Sequence, residues 1–281
     1  MTAAPRPVRR VRTAQVLQLA ETFSERDWQI VGSVNRLRLV TGSQLERLHF
    51  NELTGKSRSV VRWRVLKRLV DVRVLVPLTR RVGGSLRGSA KLVYGLDVAG
   101  ERLLQLSRSL RQVERRIRRP SPVGDRFVRH TLATSELYVQ VIEQSRARGF
   151  LIADFQAEPG SWWPNGAGGW MKPDAYMALS SARVNDHWWI EVDLATESAP
   201  TLRGKLLAYL DFVHSGQLGP GDVVPRVLVT VPTRSRHDVV VGILERLPEP
   251  ADQLFEVVLH EHAVDLLIDE LWCADQDAAS G

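Results

Sequence analysis

The fold of the C-terminal half is decided by Trp189-Ile-Glu-Val-Asp-Leu-Ala-Thr-Glu-Ser198. Three apolar side chains of this stretch alternate with Glu191 and Asp193, which is the period of a β-strand. Thr-Glu-Ser at its end is typical of the start of a helix. The stretch therefore predicts a strand over 187–194 that carries two carboxylates on one face, followed by a helix that extends to about His214.

Helices and strands are predicted to alternate on both sides of this stretch. The predicted elements are a helix at 125–148, strands at 150–156, 172–179 and 187–194, a helix at 196–214, a strand at 225–231, a helix at 238–247, a strand at 254–260 and a helix at 264–272. Such interleaving is typical of an α/β domain. We predict the order α-β-β-β-α-β, followed by α-β-α.

Acidic residues are predicted to cluster in this domain. Asp174 follows Pro173 at the start of the preceding strand, so adjacent strands can bring it close to Glu191. Clustered carboxylates are costly unless a cation or a proton lies between them. Oxygen ligands with open water positions suit Mg²⁺ or Mn²⁺. We therefore predict Asp174, Glu191 and Asp193 as metal ligands, with Lys205 on the following helix to orient water or neutralise phosphate.

This order of elements and these residues resemble the PD-(D/E)xK nuclease superfamily, whose core is αβββαβ. In the resemblance, Pro173-Asp174 supplies the aspartate of the family and Glu191-Val-Asp193 corresponds to its E-x-K run. Asp193 stands where the family has lysine, and Lys205 is the basic residue that would replace it. The resemblance implies a catalytic set of Asp174, Glu191, Asp193 and Lys205.

A structural role for these acids stays open. Asp174 could cap a turn, and Glu191 and Asp193 could pair with Arg203 or Lys205. His130 is expected to be a buried, hydrogen-bonded residue rather than a ligand. The sequence has no Ser-His-Asp signal and no GxxxxGK[ST] motif, so serine hydrolases and P-loop NTPases have no support.

Charge divides the chain into two parts. Its 281 residues have a net charge of +6, but residues 1–120 hold 26 Lys and Arg against 9 Asp and Glu, a net of +17. The remaining residues have a net charge of −11. Because Lys and Arg displace counterions from phosphates, the basic part predicts a polyanion partner, with nucleic acid favoured. The alternative is a basic face that only keeps the protein soluble.

Three helices and a hairpin are predicted in the basic part. Ser24-Glu-Arg-Asp27 has the form of a capping box. Thr41-Gly-Ser43-Gln-Leu-Glu46 predicts a second helix start, with its serine as the N-cap and its glutamate at N3. A third helix is predicted over 57–71, and two short apolar runs around the Gly/Ser-rich segment 80–89 predict a β-hairpin.

This pattern resembles a winged helix-turn-helix domain over residues 24–106. The resemblance implies that the helix at 57–70 enters the major groove and that the hairpin contacts the flanking backbone. The implied DNA-binding residues are Arg58, Arg62, Arg64, Lys67 and Arg68 on the helix, with Arg80, Arg81, Arg87 and Lys91 in the hairpin. A tri-helical protein-interaction module is the alternative.

We therefore predict an α+β chain: a basic arm at 1–22, a winged-helix DNA-binding domain at 23–106, a basic linker at 107–124 and a PD-(D/E)xK nuclease-like α/β domain at 125–281. The two halves together are similar to the actinobacterial replication-relaxation family of plasmids and mobile elements. The similarity rests on His130-Thr-Leu-Ala, Lys172-Pro-Asp-Ala-Tyr, the run from Glu191 to Ser198, Lys205 and Tyr209.

The resemblance implies a DNA-binding protein of plasmid or mobile-element replication or transfer with a metal-dependent nuclease-like domain. The alternative is a non-catalytic regulator or accessory factor, whose degenerate nuclease fold serves dimerisation or DNA clamping. Asp193 in place of the lysine favours that alternative. Whether the chain is an enzyme stays open, with a Mg-dependent DNA endonuclease as the enzymatic option, and a homodimer is compatible with both.

The cysteine content and the absence of long apolar runs in the sequence also indicate the cellular location of the protein. The single cysteine, Cys273, excludes an internal disulfide, and no apolar run reaches the length of about 18 residues that predicts a membrane span. The basic N-terminal segment has no apolar stretch behind it that would indicate a signal peptide. We expect a cytoplasmic protein that does not interact with a membrane.

Overall fold

The structure, a computed structural model, describes residues 11–81, 92–109 and 124–280. Among these residues 57% are helical and 20% lie in strands, so the chain is a mixed α+β protein, as predicted. It divides into two compact units, unit 1 (Met1–Val128) and unit 2 (Arg129–Gly281).

The described part of unit 1 combines helices with a small antiparallel sheet. Its helices are α1 (Thr13–Thr22), α2 (Glu25–Leu37), α3 (Gly42–His49), α4 (Gly55–Asp71) and α5 (Val98–Ser109), and its strands are β1 (Val40–Thr41), β2 (Leu75–Arg81) and β3 (Leu92–Leu96). The strands lie in the order β1-β3-β2. Four helices thus precede the β2–β3 pair: α1 lies within the predicted basic arm, and α2, α3 and α4 follow in the predicted order.

Helix α2 begins as the sequence predicts. The hydroxyl of Ser24 accepts a hydrogen bond from the backbone N–H of Asp27, and the carboxylate of Asp27 accepts one from the N–H of Ser24. This reciprocal capping box satisfies two N–H groups that the first turn leaves without partners. Asp27 is itself buried, and its other oxygen, Oδ1, accepts a hydrogen bond from Arg68 of α4.

The start of α3 differs from the prediction. Thr41 is the N-cap, and Gln44 at N3 accepts a hydrogen bond from the Thr41 N–H at 2.9 Å. Ser43 therefore lies inside the first turn, because Thr41 and Gln44 have the spacing that a capping box requires. Glu46 has no capping role and lies one turn further along the helix, toward α4.

Unit 2 is built on a five-stranded sheet in the order β10-β9-β8-β7-β4. Its strands are β4 (Leu151–Ala157), β7 (Ala175–Ser180), β8 (Asn185–Val192), β9 (Arg226–Val231) and β10 (Phe255–Leu259), and a short hairpin pairs β5 (Trp163–Pro164) with β6 (Trp170–Met171). The helices are α6 (Asp125–Arg148), α7 (Ala199–His214), α8 (Arg234–Leu244), α9 (Ala251–Leu254) and α10 (Ala263–Ser280).

The direction of the strands changes at β8. The pairs β4–β7 and β7–β8 are antiparallel, whereas β8–β9 and β9–β10 are parallel. Apart from the β5–β6 hairpin, α6-β4-β7-β8-α7-β9 follows the predicted order of elements. Helix α7 covers one face of this sheet and packs Leu206 and Tyr209 against Trp189 and Val229.

In the part of the chain that the structure describes, no helix has both the length and the apolar character needed to cross a membrane.

Candidate functional site

Three of the four residues predicted to be catalytic meet where β7 begins and β8 ends. The pairing of Ala175 with Ile190 places Asp174 beside Glu191, and the Asp174 N–H donates to the carbonyl of Ile190 at 3.0 Å. The ammonium of Lys205 contacts Oε2 of Glu191, and its Nζ lies 3.9 Å from Oδ1 of Asp174. One cation therefore faces two neighbouring carboxyl groups.

Helix α7 brings Lys205 to this position through its packing on the sheet. Leu202, Leu206 and Tyr209 are buried, and Lys205 lies between them at the edge of the buried face. A third of the Lys205 side chain is exposed, 33%. From this edge the long side chain reaches the two acids with its ammonium, as the amphipathic character of lysine allows.

Asp174 is held in one orientation by two donors. Its Oδ2 accepts a hydrogen bond from the Val192 N–H at 2.8 Å and lies 3.0 Å from Nε2 of His130 on α6. Burial opposes its ionisation, but the His130 hydrogen bond, the Lys205 charge and the Val192 N–H together hold the pKa of Asp174 below its ordinary value. Asp174 is therefore a carboxylate at neutral pH, and its Oδ1 faces Lys205.

Glu191 has a different environment from Asp174. It is buried, and burial raises the pKa of Glu191 to about 8 against the opposing effects of the Lys205 charge and the Tyr209 hydrogen bond. The phenol of Tyr209 donates to Oε1 of Glu191. Although burial acts against it, the two acids raise the pKa of Lys205, so the lysine stays charged. Of the two acids, Glu191 is the one whose ionisation is opposed by burial more strongly than its neighbours favour it.

Asp193, the fourth predicted residue, makes its contacts elsewhere. Its Oδ2 accepts a hydrogen bond from Arg236 of α8, and its Oδ1 accepts one from the Ala195 N–H at 2.7 Å. Arg236 also donates to the carbonyl of Glu197 at 3.0 Å. The charge of Asp193 is therefore neutralised by Arg236 at the end of β8.

The sequence profile of the replication-relaxation family matches residues 31–227, more than half of the chain. The chain belongs to the replication-relaxation family. The match extends from α2 to the start of β9 and so includes α4, Asp174, Glu191 and Lys205. Membership indicates a role in the replication or relaxation of plasmid or mobile-element DNA. No curated protein and no solved structure matches the chain.

In the described part of this replication-relaxation chain, Asp174 and Glu191 are the acids beside Lys205, and Glu191 must be ionised to act as a cation ligand. Among its described residues, no three His, Cys, Asp or Glu side chains form a cluster that could hold a metal. The two acids that face Lys205 nevertheless have the chemistry of a Mg²⁺ or Mn²⁺ site, since Mg²⁺ takes few protein ligands and keeps several waters. A cation that binds there through Asp174 and Glu191 must share the space with the ammonium of Lys205.

Two residues of this neighbourhood were missed as site residues in the sequence. Tyr209 lies one turn after Lys205 on the same helix, and that spacing is the signal that could have identified it. Arg236 follows Asp193 by 43 residues, and no local pattern connects the two. His130 is hydrogen-bonded, as expected, and its partner is Asp174, but it is only partly buried, with 32% of its side chain exposed.

The contact between His130 and Asp174 predicts a pH-dependent contribution to stability. The hydrogen bond to Asp174 raises the pKa of His130 above 6.5, although burial acts against it. A raised pKa means that the contribution is complete below the unfolded value and is lost as the pH rises through the folded value. We expect the melting temperatures of wild type and His130→Gln to differ more at about pH 6 than at about pH 9.

Thermal melts followed by circular dichroism measure this difference. His262→Gln is the matched control, because His262 is exposed, with 61% of its side chain accessible. Its melting temperature should stay close to that of wild type. A His130→Gln difference that is constant across this pH range would contradict the assigned role of the contact.

The predicted DNA-binding residues of unit 1 fall into two groups. The first group is engaged in ion pairs within the unit. Arg62 is buried and contacts the carboxylate of Glu46, and Arg58 lies 3.5 Å from the same carboxylate. Arg68 pairs with the buried Asp27 of α2. These arginines link helices of unit 1, and Arg62 does not present its guanidinium to solvent.

The second group is exposed on α4. Arg64 and Lys67 lie on its outer surface, and Lys67 pairs with Asp71 one turn later. An exposed pair of this kind contributes little to stability, so Lys67 can exchange it for a phosphate. Of the hairpin residues, Arg87 and Lys91 lie outside the described residues, as do the side chains of Arg80 and Arg81.

Proposed function

We propose that the protein binds double-stranded DNA of a plasmid or mobile element through unit 1 and cleaves a DNA strand at the Asp174–Glu191–Lys205 cluster with a divalent cation. The observation that carries this proposal is the contact of one lysine with two carboxyl groups on adjacent strands. A winged helix-turn-helix interpretation of unit 1 and a PD-(D/E)xK interpretation of unit 2 belong to the proposal. The order of elements in each unit supports them.

Each side chain of the cluster has a distinct chemical task. Asp174, kept ionised and oriented by His130, offers Oδ1 as a cation ligand, and Glu191 offers Oε2. When bound, Mg²⁺ or Mn²⁺ would polarise the phosphodiester and activate a water. Lys205 carries a fixed positive charge that can hold a water or a phosphate oxygen. Tyr209 keeps Glu191 in place through its hydrogen bond.

Unit 1 supports the DNA-binding part of the proposal through its charge. The excess of 26 Lys and Arg over 9 Asp and Glu in residues 1–120 suits a polyanion, and Arg64 and Lys67 are exposed on α4. Unit 2 has the opposite charge balance, so a bound cation would help it approach a phosphate.

A second function is favoured by how the acids are neutralised. Lys205 already places a cation against Asp174 and Glu191, and Arg236 neutralises Asp193. A site of this kind can be stable without metal. The protein would then be a non-catalytic accessory factor that binds DNA and uses unit 2 for dimerisation or clamping.

Conversion of supercoiled plasmid to open circles distinguishes the two proposed functions. The full chain is incubated with supercoiled plasmid and Mn²⁺ or Mg²⁺, with EDTA as the control, and products are resolved on an agarose gel. Open circles that need the metal support cleavage. Retained DNA binding with the plasmid left supercoiled would instead support the accessory role.

DNA binding itself is tested by its salt dependence. The Arg64→Ala, Lys67→Ala double variant should lower the slope of log affinity against log salt by about 0.9 for each phosphate contact that is lost. The matched control is Arg234→Ala in unit 2, where 77% of the side chain is exposed, and its slope should equal that of wild type. If wild type, the double variant and the control have the same salt slope in a gel-shift series, α4 does not contact DNA.

A further inference from the structure

Helix α4 has an exposed apolar pair that the proposed function does not use. Val60 is 46% exposed and Trp63 is 50% exposed. At about 100° per residue, Val60 and Trp63 lie with Lys56 and Lys67 within a sector of about 60°. We call these four residues the α4 stripe. Its two ends are cationic, its centre is apolar, and all four side chains are exposed.

The outward position of the α4 stripe follows from what the other face of the helix buries. Leu66 and Leu69 lie in the core of unit 1, and Arg62 is buried with them through its ion pair with Glu46. These contacts fix the rotation of α4, so that Trp63 cannot turn inward without exposing Leu66. Exposure of the Trp63 indole is therefore a consequence of how the opposite face of α4 packs.

The same contacts decide which side chains of α4 can reach a partner. Arg58 and Arg62 share the carboxylate of Glu46 and are held on the inner side. Val60 and Trp63 occupy the middle of the outer face of α4. A partner that docks here must therefore offer apolar groups at its centre and negative charge at both sides.

Duplex DNA has this pattern in its major groove. Lys56 and Lys67 are eleven residues apart, which is about 16 Å along the helix, and the groove is about 12 Å wide between its phosphate walls. The apolar group exposed on the floor of the groove is the thymine methyl. An aromatic ring and a β-branched side chain can pack on such methyl groups.

We infer that the α4 stripe reads thymine in duplex DNA: Val60 and Trp63 contact thymine methyl groups in the major groove, and Lys56 and Lys67 contact the phosphates on either side. This inference rests on the proposed DNA binding by unit 1 and names the residues that give it sequence preference. It assigns recognition to apolar contacts rather than to the arginines of the helix.

Replacement of thymine by uracil tests this inference directly, because uracil pairs identically and lacks only the methyl group. Wild-type protein first selects duplexes from a library with a randomised core of about two helical turns. The selected duplex is then made with thymine or with uracil. We expect wild type to bind the uracil form about fourfold more weakly for each contacted methyl group that is lost.

Trp63→Ala and Val60→Ser should bind the two duplexes with more nearly equal affinity. Both positions are at the surface, and circular dichroism checks that each variant is folded. Leu17→Ala is the matched control, since Leu17 on α1 is 49% exposed, and this variant should discriminate like wild type.

Each alternative outcome has a distinct meaning. A wild-type protein that binds no duplex overturns both the proposed function and this inference. Binding with equal affinity for thymine and uracil, or variants that discriminate as well as wild type, overturns the inference and leaves DNA binding intact. Sedimentation that shows wild type but not Trp63→Ala to self-associate, with uracil discrimination unchanged, would assign the stripe to contact with a second copy of the chain.

Discussion

Asp174→Asn should reduce metal-dependent cleavage of plasmid DNA by more than about 100-fold, because it removes a proposed metal ligand, and loss of a group that merely supports a ligand costs 10- to 100-fold. The amide can still accept the hydrogen bond from Val192 N–H, so the fold should survive. What it loses is the charge that attracts the cation. The rate of conversion from supercoiled to open-circular plasmid, measured with Mn²⁺, reports the effect.

Two further variants show where the effect arises. Asp154→Asn changes an exposed acid of β4 in the same unit and should cleave at the wild-type rate. Lys205→Met should retain Mn²⁺ binding in calorimetry but lose cleavage, because it removes the charge that faces water or phosphate and leaves both carboxyl groups. Asp174→Asn protein that cleaves like wild type would exclude Asp174 from the chemistry.

Glu46→Ala should lower the free energy of unfolding of unit 1 by about 3 kcal/mol, the lower end of the range for breaking a buried ion pair. The lower end applies because Glu46 retains some exposure, 19% of its side chain. Its removal leaves the guanidinium of Arg62 buried without its carboxylate partner and takes the same partner from Arg58. Urea denaturation followed by circular dichroism measures the change.

Glu52→Ala is the control for this loss of stability. Glu52 pairs with Arg26 at the surface, where both side chains are exposed to solvent, so the change should stay within about 1 kcal/mol. Glu46→Gln keeps a hydrogen-bond acceptor for Arg62 and should fall between the two. Equal stabilities for Glu46→Ala and Glu52→Ala would mean that the pair does not hold α3 to α4.

The cluster of Asp174, Glu191 and Lys205 could be predicted from the sequence, because the periodicity of a single strand or helix places each of these residues. Alternation along the strand placed Glu191, and the Pro-Asp step placed Asp174 at the start of its neighbour. Helical spacing from Leu202 to Tyr209 placed Lys205 at the edge of the buried face. Each of these inferences needs only the geometry of one element and the adjacency of two strands.

The positions that local patterns could not assign depend on partners distant in the chain. The arginines of α4 have the same appearance in the sequence, but Arg62 is buried and contacts Glu46 on α3. Asp193 shares its alternation with Glu191, but Arg236 from α8 engages it. The start of α3 was misplaced because the segment offers two capping boxes, and Thr41 with Gln44 formed instead of Ser43 with Glu46.

The fixed rotation of α4 has a consequence for how relatives diverge. Because Glu46 and Arg62 set that rotation from inside, a change at either position requires a compensating change at the other. The α4 stripe carries no such constraint, and its side chains can be exchanged without altering the core. Across the replication-relaxation family we expect positions 46 and 62 to covary, and positions 60 and 63 to follow the origin or transfer sequence of each element. Under the proposed recognition of DNA by the α4 stripe, a change of target sequence would require only surface substitutions.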